Sequence, residues 1–316
     1  MNDYKPNYLC DLHCHTTNSD GNDSYEELIT NAAALCMKII AVTDHDVLPE
    51  THIYVNGSLV AVTEYASSKD LILLPGIEIS CDTDVDDVHI VGLGCDFSID
   101  AFKDFADSMI DSKTYSYRKL TEILCDNGIN VTWDMVLENN GKRLEDHLVQ
   151  RKHIFEAIAR AGYADDWSAA KIMVRDNPVF NVKRNKIDPV DAIQLIHKAG
   201  GYAILAHPYL IDESVLIEGK PASREMYIER LIQNGLDGIE AAYTYNKTTY
   251  KGKMKPEEIE KQVLEKYGSR LKMISGGSDY HNDQKKGTAR EKARQIGEKG
   301  IKPEDFYNNA FFSSLL

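Results

Sequence analysis

Three features of the sequence predict an α/β fold. Short apolar segments of strand length alternate with segments of helical period. The alternation breaks once, between about residues 99 and 186, and then resumes. Polar and ionisable residues gather where the apolar segments end. Strands alternating with helices read as βαβ units with a parallel sheet. In an α/β barrel the carboxyl ends of such strands share one face, which holds the active site.

Residues 8–14 read as the first strand, with Asp11, His13 and His15 on one side and Leu12 and Cys14 on the other. Ser24 and Glu27 form a capping box, and a helix follows to about Met37 on Leu28, Ile29, Ala32, Ala33 and Cys36. Residues 38–43 are a strand ending in Thr43-Asp44-His45-Asp46, which completes a strand–helix–strand unit. The pattern over 57–70 predicts a helix, and that over 71–80 a strand with Glu78 near its end. The acidic run Asp82 to Asp87 reads as a turn, and 88–93 as a strand with His89 at its start.

From 99 to 186 the chain becomes helix-rich and more polar. Helical spacing covers 100–126, 133–139, 151–162 and 165–175, punctuated by Gly128, Gly141, Gly162 and Pro178. This predicts an inserted helical subdomain, a lid, carried by a barrel domain of residues 1–98 and 187–316. Alternation resumes at Asp188-Pro189, an N-cap followed by proline in the first turn, and the helix runs to Lys198. Residues 202–206 form a strand ending in His207-Pro208. A helix over 225–233, a strand over 236–241 carrying Glu240 and a helix over 256–267 follow. A last strand, 272–275, ends in Gly276-Gly277-Ser278-Asp279-Tyr280-His281.

A length of 316 residues, with 43% hydrophobic and 27% charged, suits a globular protein with a sizeable core. The net charge of −14 argues against a long nucleic-acid groove. It leaves room for a small anionic substrate, because divalent cations can invert the local field. No apolar run approaches the ~20 residues of a membrane helix, and the first residues lack the form of a signal peptide. The six cysteines form no C-x-x-C pair. Buried, reduced thiols in a cytoplasmic protein are the expectation.

His13, His15, His45, Glu78, His207, Asp279 and His281 lie at or just beyond predicted strand ends, with Asp20 in the turn after the first strand. Imidazoles and carboxylates aimed at one place repel one another unless cations lie among them. Two imidazoles two apart on one strand face can bind a single cation. A set of imidazoles and carboxylates without thiolate suits Zn, Mn or Fe, and the number of ligands fits two or three ions better than one. His52, His147 and His197 read as core or surface residues.

On these residues the chain resembles the PHP family (polymerase and histidinol phosphatase). The matching motifs are DLHCHTTNSDG at 11–21, TDHD at 43–46, PGIEIS at 75–80, VHIVGLG at 88–94, LAHP at 205–208 and GGSDYH at 276–281. The resemblance implies a distorted (β/α)7 barrel with a trinuclear metal centre. It implies a first ion on His13, His15, Glu78 and Asp279, and a second on Asp20, His45 and His281. A third would lie on Glu78, His89 and His207, with Glu78 bridging. Asp11 completes the implied catalytic set by orienting a histidine, and Asp46 would do the same for His45. The implied chemistry is attack on a phosphate ester by a metal-activated hydroxide.

Within the family, the chain resembles the stand-alone nucleoside 3′,5′-bisphosphate phosphatases and short-RNA 5′ nucleases. Gln150-Arg151-Lys152-His153 resembles the Arg-x-His that opens a helix of their lid. That implies substrate contacts from Arg151 and His153. Arg118, Lys183, Arg184 and Lys186 are further candidate phosphate contacts. Departures at 177–186, Tyr209 and 243–255 are expected to border the substrate pocket. The expected function is hydrolysis of a phosphate ester of a small nucleotide, a 3′,5′-bisphosphate or a short 5′-phosphorylated RNA. The alternatives are a histidinol-phosphate phosphatase, a non-catalytic PHP module and an amidohydrolase-type C–N hydrolase.

Overall fold

The computed structural model describes residues 4–81, 85–139, 141–217 and 219–316. Part of the expected acidic turn, Asp82 to Asp84, lies outside the described residues. Two compact units emerge, one of residues 1–103 with 187–316 and one of 104–186.

The first unit carries β1 (Cys10–Cys14), β2 (Ile39–Val42), the hairpin β3 (His52–Val55) and β4 (Ser58–Ala61), β5 (Ile72–Ser80) and β6 (His89–Leu93). A small hairpin in the second unit supplies β7 (Glu138–Asn139) and β8 (Lys142–Arg143). Back in the first unit come β9 (Tyr202–Leu205), the hairpin β10 (Ser214–Ile217) and β11 (Lys220–Ser223), β12 (Gly238–Ala242) and β13 (Met273–Gly276). Seven strands form one sheet in the order β1-β2-β5-β6-β9-β12-β13. Its ends nearly meet: Cys14 bridges Tyr280 in parallel, and His15 N donates to Tyr280 O at 2.9 Å.

Every pairing in the sheet is parallel except those of β6 with β5 and β9. The reversed strand gives the barrel its distortion, and it has a functional consequence. Because β6 runs backwards, its first residue, His89, lies at the end where the parallel strands finish.

The helices of the first unit begin where the sequence places their caps. In α1 (Tyr25–Ala34), Glu27 N donates to Ser24 Oγ while Ser24 N donates to Glu27 Oε2 at 2.8 Å. The short α2 (Val62–Ser67) follows β4. The predicted helix over 57–70 is therefore wrong in its first part. Asn56 and Gly57 have φ of 50° and 83°, the two positive values of a type I′ turn, and so close a β-hairpin.

The long α3 (Asp100–Asp126) starts in the first unit and ends in the second. There α4 (Trp133–Leu137), α5 (Arg151–Arg160) and α6 (Trp167–Arg175) pack on Leu124, Val131, Ile154 and Ile158. After α7 (Pro189–Lys198), α8 (Arg224–Gln233) and α9 (Pro256–Tyr267), the chain ends in α10 (Pro303–Asn308) and α11 (Ala310–Ser313). Phe306 and Phe312 from these last helices join a core cluster with Cys10, Leu93 and Met273. No helix among the described residues is long and apolar enough to cross a membrane.

Alternation along β1 breaks at a bulge. Asp11 lies opposite Ile40 but Cys14 opposite Val42, so β1 holds one residue more than its partner. Leu12 accordingly packs with Cys10, Ile39 and Ala41, whereas Cys14 packs with Ile40 and Val42. The expectation that Leu12 and Cys14 share a face fails for this reason, and so does that for Asp11 with the two histidines. The cysteines also divide: Cys10, Cys14 and Cys81 are buried thiols, but Cys36 is exposed.

Candidate metal centre

Glu78, from the middle of the sheet, is the hub. Its Oε2 lies 3.0 Å from His13 Nε2, 3.2 Å from His15 Nε2 and 3.2 Å from His45 Nδ1. Its Oε1 lies 2.9 Å from His89 Nδ1 and 3.0 Å from His207 Nε2. Asp279 Oδ1 faces His15 Nε2 at 3.1 Å, His281 Nδ1 at 3.4 Å and His13 Nε2 at 3.6 Å. Asp20 Oδ1 lies 2.9 Å from His281 Nε2. The structure thus brings all the expected ligand residues into one cluster, although they come from separate segments of the chain.

Local backbone geometry explains how. The pairing of β2 with β5 continues past Val42: Asp46 N donates to Glu78 O at 3.0 Å, and Glu78 N donates to Asp44 O at 3.2 Å. His45 is thereby set beside Glu78. Asp46, His207 and Asp279 hold φ of 56°, 30° and 53°, values uncommon for residues with a Cβ. They mark sharp turns beyond β2, β9 and β13. Gly277 passes so close to β1 that a Cβ there would sit 2.2 Å from His13 Cβ, so this position requires glycine.

Three further carboxylates tie the loops together. Asp11 does not reach a histidine ring. It accepts from Ser278 N at 2.9 Å, Ser278 Oγ at 2.5 Å and Gly297 N at 2.8 Å, which corrects its expected role. Asp44, absent from the expected set, accepts from Thr16 N, Thr16 Oγ and Ser19 Oγ and shapes the loop that carries Asp20. Asp46 accepts from Ser80 N at 2.8 Å.

The donor set fits divalent cations on its own chemistry. His13 Nδ1 donates to Glu240 Oε1 at 2.9 Å. His281 Nδ1 donates to the Asp279 carbonyl at 2.8 Å, and His15 Nδ1 faces Ser19 Oγ at 3.4 Å. Holding the proton on Nδ1 leaves the Nε2 lone pair of each ring aimed inward, as a metal ligand requires. Those lone pairs then face carboxylate oxygens and one another, with His13 Nε2 only 3.0 Å from His15 Nε2. Divalent cations between them would satisfy these inward-facing acceptors.

The electrostatics carry the same tension. Burial pushes Glu78 up, but His13, His45 and His89 outweigh it and hold its carboxyl well below the usual range. Asp279 is likewise held low against burial by Arg294, His281 and His13. Burial pushes His45 down to about 3. It also opposes charge on His15, yet Asp279 and Glu78 raise that ring to about 10. The two rings are 4.6 Å apart, so the same cluster pushes neighbouring imidazoles in opposite directions. Asp11, buried, is pushed up to about 6 against its hydrogen bonds from Gly297 and Ser278.

A cavity of about 360 Å³ opens at the cluster, lined by His45, His89 and His207 together with Tyr243, Lys247 and Arg294. Residues of the 243–255 stretch do border it. Tyr209 does not line it: its hydroxyl donates to Gln262 Oε1 at 2.6 Å, and Arg224 lies over its ring at 3.9 Å. Glu240, Tyr243 and Arg294 were not among the expected site residues. Glu240 had one sequence signal, an acidic residue inside an apolar strand, and Tyr243 opened the stretch expected at the pocket; Arg294 had none.

In the second unit, Arg151 opens α5 with its guanidinium 5.9 Å from the Phe155 ring centroid. His153 accepts from Gln150 N at 3.0 Å through Nδ1, a helix-capping contact. Arg118 is paired with Asp146 and lies 5.0 Å over Trp133, a structural arrangement.

Comparison with known proteins agrees with this geometry. A family model described as the PHP domain matches residues 11–302. A 5′–3′ exoribonuclease Rnm of Salmonella typhimurium is 31% identical over 210 residues, 65% of this chain and 67% of the relative. A 3′,5′-nucleoside bisphosphate phosphatase of Chromobacterium violaceum is 28% identical over 279 residues, 86% of each. The crystal structure of a Bifidobacterium adolescentis protein, provisionally described as a metal-dependent phosphoesterase, superposes with a TM-score of 0.66. It covers 98% of both chains at 22% identity, a likeness of fold. With its barrel, its reversed sixth strand and its histidine–carboxylate cluster, this chain belongs to the PHP domain family.

Proposed function

We propose that the protein hydrolyses a phosphate ester of a small nucleotide, a 3′,5′-bisphosphate or the 5′ end of a short RNA, with two or three divalent ions. Mn, Fe or Zn suits the donors. One observation carries this reading: both oxygens of Glu78 are shared among five inward-facing imidazoles. A carboxylate so placed would serve as a bridging ligand between ions held there. His13, His15, Glu78 and Asp279 would hold one ion, Asp20, His45 and His281 a second, and Glu78, His89 and His207 a third. The relatives named for nucleotide and RNA substrates support the substrate class.

Ions bound there would supply Lewis acidity toward phosphoryl oxygens and a water that ionises near neutral pH. The protein's own groups do the arranging. Glu240, the Asp279 carbonyl and Ser19 keep protons on the outer nitrogens of His13, His281 and His15. Asp11 and Asp44 hold the loops that carry Asp279 and Asp20. Tyr243 donates to Asp279 Oδ2 at 2.6 Å, leaving Oδ1 toward the imidazoles. Arg151 and His153 are further substrate contacts in this reading, as the resemblance to the bisphosphate phosphatases implies. A non-catalytic module would have no need to keep every ligand position filled.

Phosphate release from adenosine 3′,5′-bisphosphate, a short 5′-phosphorylated RNA and L-histidinol phosphate, compared with Mn added and after chelation, tests the proposal. Manganese-dependent release from either nucleotide substrate is the expected result. Release from histidinol phosphate alone would overturn the nucleotide assignment.

A further inference from the structure

The expected phosphate contacts all lie in the inserted unit, yet the barrel unit holds a cation of its own at the cavity. Arg294 lies on the segment 289–298 and lines the cavity wall. One terminal nitrogen of its guanidinium is bonded to Asp279 Oδ2. Its Nε donates to Asp283 Oδ2 at 3.2 Å. The side chain is 15% exposed. A guanidinium offers five N–H donors. The second terminal nitrogen has no protein acceptor among the described residues. Two carboxylates thus hold the plane of the group, while donors remain for a ligand.

The segment that carries Arg294 is anchored. Gly297 N donates to Asp11 Oδ2, and Gly297 O accepts from Asn7 N and Tyr8 N. Lys247 binds it from the other side, donating to Ala293 O at 2.9 Å and pairing with Glu298 at 2.7 Å. Lys247 is consumed by this clamp. Arg294 is the cavity cation with donors to spare.

We propose that Arg294 contacts the phosphoryl group of the substrate, so that the barrel supplies a phosphate-binding residue beside the metal ligands. This rests on the phosphoesterase reading above. No bond to Arg294 forms or breaks. Its N–H groups add charge-assisted hydrogen bonds to the equatorial phosphoryl oxygens, where charge accumulates during in-line displacement. Held by Asp279, it sits against a residue that would ligate an ion in the reading above, so its free donors would face the same phosphoryl group as that ion.

The test uses the full-length, metal-loaded protein with Arg294→Gln and Arg294→Lys. Bound metal is measured by elemental analysis, inorganic phosphate is titrated as a competitive inhibitor, and kcat and KM are taken on a phosphoester. The expected result is a rise of tenfold or more in the phosphate inhibition constant for Arg294→Gln, with metal content retained. Arg294→Lys, which keeps a cation against Asp279 but loses the fork, should give a smaller rise. An inhibition constant within twofold of wild type in metal-loaded Arg294→Gln would overturn the proposal. So would loss of metal in both variants, which would make Arg294 a positioning residue for Asp279 alone. A wild-type protein that bound no metal and released no phosphate would instead overturn the phosphoesterase reading itself.

Discussion

Replacing Glu240 with glutamine isolates the control of one ligand's proton. Glu240 is 1% exposed and accepts two hydrogen bonds, from His13 Nδ1 at 2.9 Å and from the His207 backbone N–H at 2.8 Å. A glutamine amide has one oxygen and one NH2 in their place, so it can accept from only one of them. If its NH2 faces His13, the ring must take its proton on Nε2, which removes the lone pair aimed at the cluster. Outer partners of metal-ligating histidines are worth 10–100-fold in metal affinity, about 1.4–2.7 kcal/mol. If its NH2 instead faces His207, a buried backbone donor is left unsatisfied, at a cost of about 1–3 kcal/mol in stability. Competition against a chromogenic chelator reads the first outcome, and urea unfolding of the metal-free protein reads the second. A Glu240→Gln protein with wild-type metal affinity and an unchanged unfolding midpoint would refute the assignment of the His13 proton.

Asp279→Asn and His15→Ala are each expected to abolish metal binding and nearly all turnover while far-UV circular dichroism persists; full metal content with wild-type kcat would contradict their role. Arg151→Ala should raise KM for a 3′,5′-bisphosphate much more than for a simple monoester, and equal effects on both would remove it from the substrate site. At the opposite end of the strands, burial pushes Asp237 up. Lys272 Nζ at 2.6 Å, Ala203 N at 3.0 Å and His197 Nε2 at 2.7 Å outweigh it and hold the carboxyl low. A depressed carboxyl stabilises the fold above its unfolded value, and that contribution fades as pH falls through the folded value. Asp237→Asn should therefore cost about 1–3 kcal/mol at pH 7, and the gap to wild type should narrow below about pH 4. A gap that stayed constant from pH 7 to pH 3 would contradict this.

The legible part of the site was the part carried by short motifs at strand ends. His13 and His15 lie two apart on β1, His207 follows an apolar strand directly, and Asp279 and His281 sit in one glycine-led turn. A sheet forces such residues to one end, so their type and place sufficed. His197 read as non-catalytic, and it pairs with Asp237 far from those strand ends. What escaped was local geometry. The bulge in β1 left Asp11 accepting from the His13 backbone N–H at 3.4 Å rather than from its ring, because one extra residue reverses every later side chain. The hairpin at 52–61 was missed because Gly57-Ser58 reads as a weak helix start, whereas Asn56-Gly57 is the turn of the hairpin.

By itself, the sequence determined that this is an α/β barrel of the PHP family with a histidine–carboxylate centre, because hydrophobic periodicity and ligand chemistry are local properties. Only the tertiary structure decided which groups control that centre. Glu240 meets His13 across 227 positions of sequence, and Asp11 meets Ser278 across 267. Arg294 reaches Asp279 from a turn with no motif of its own. Contacts of that kind are set by the closing of the sheet and by where each loop crosses it. No local pattern encodes them, since a buried carboxylate or a loop arginine looks the same in sequence whatever it touches.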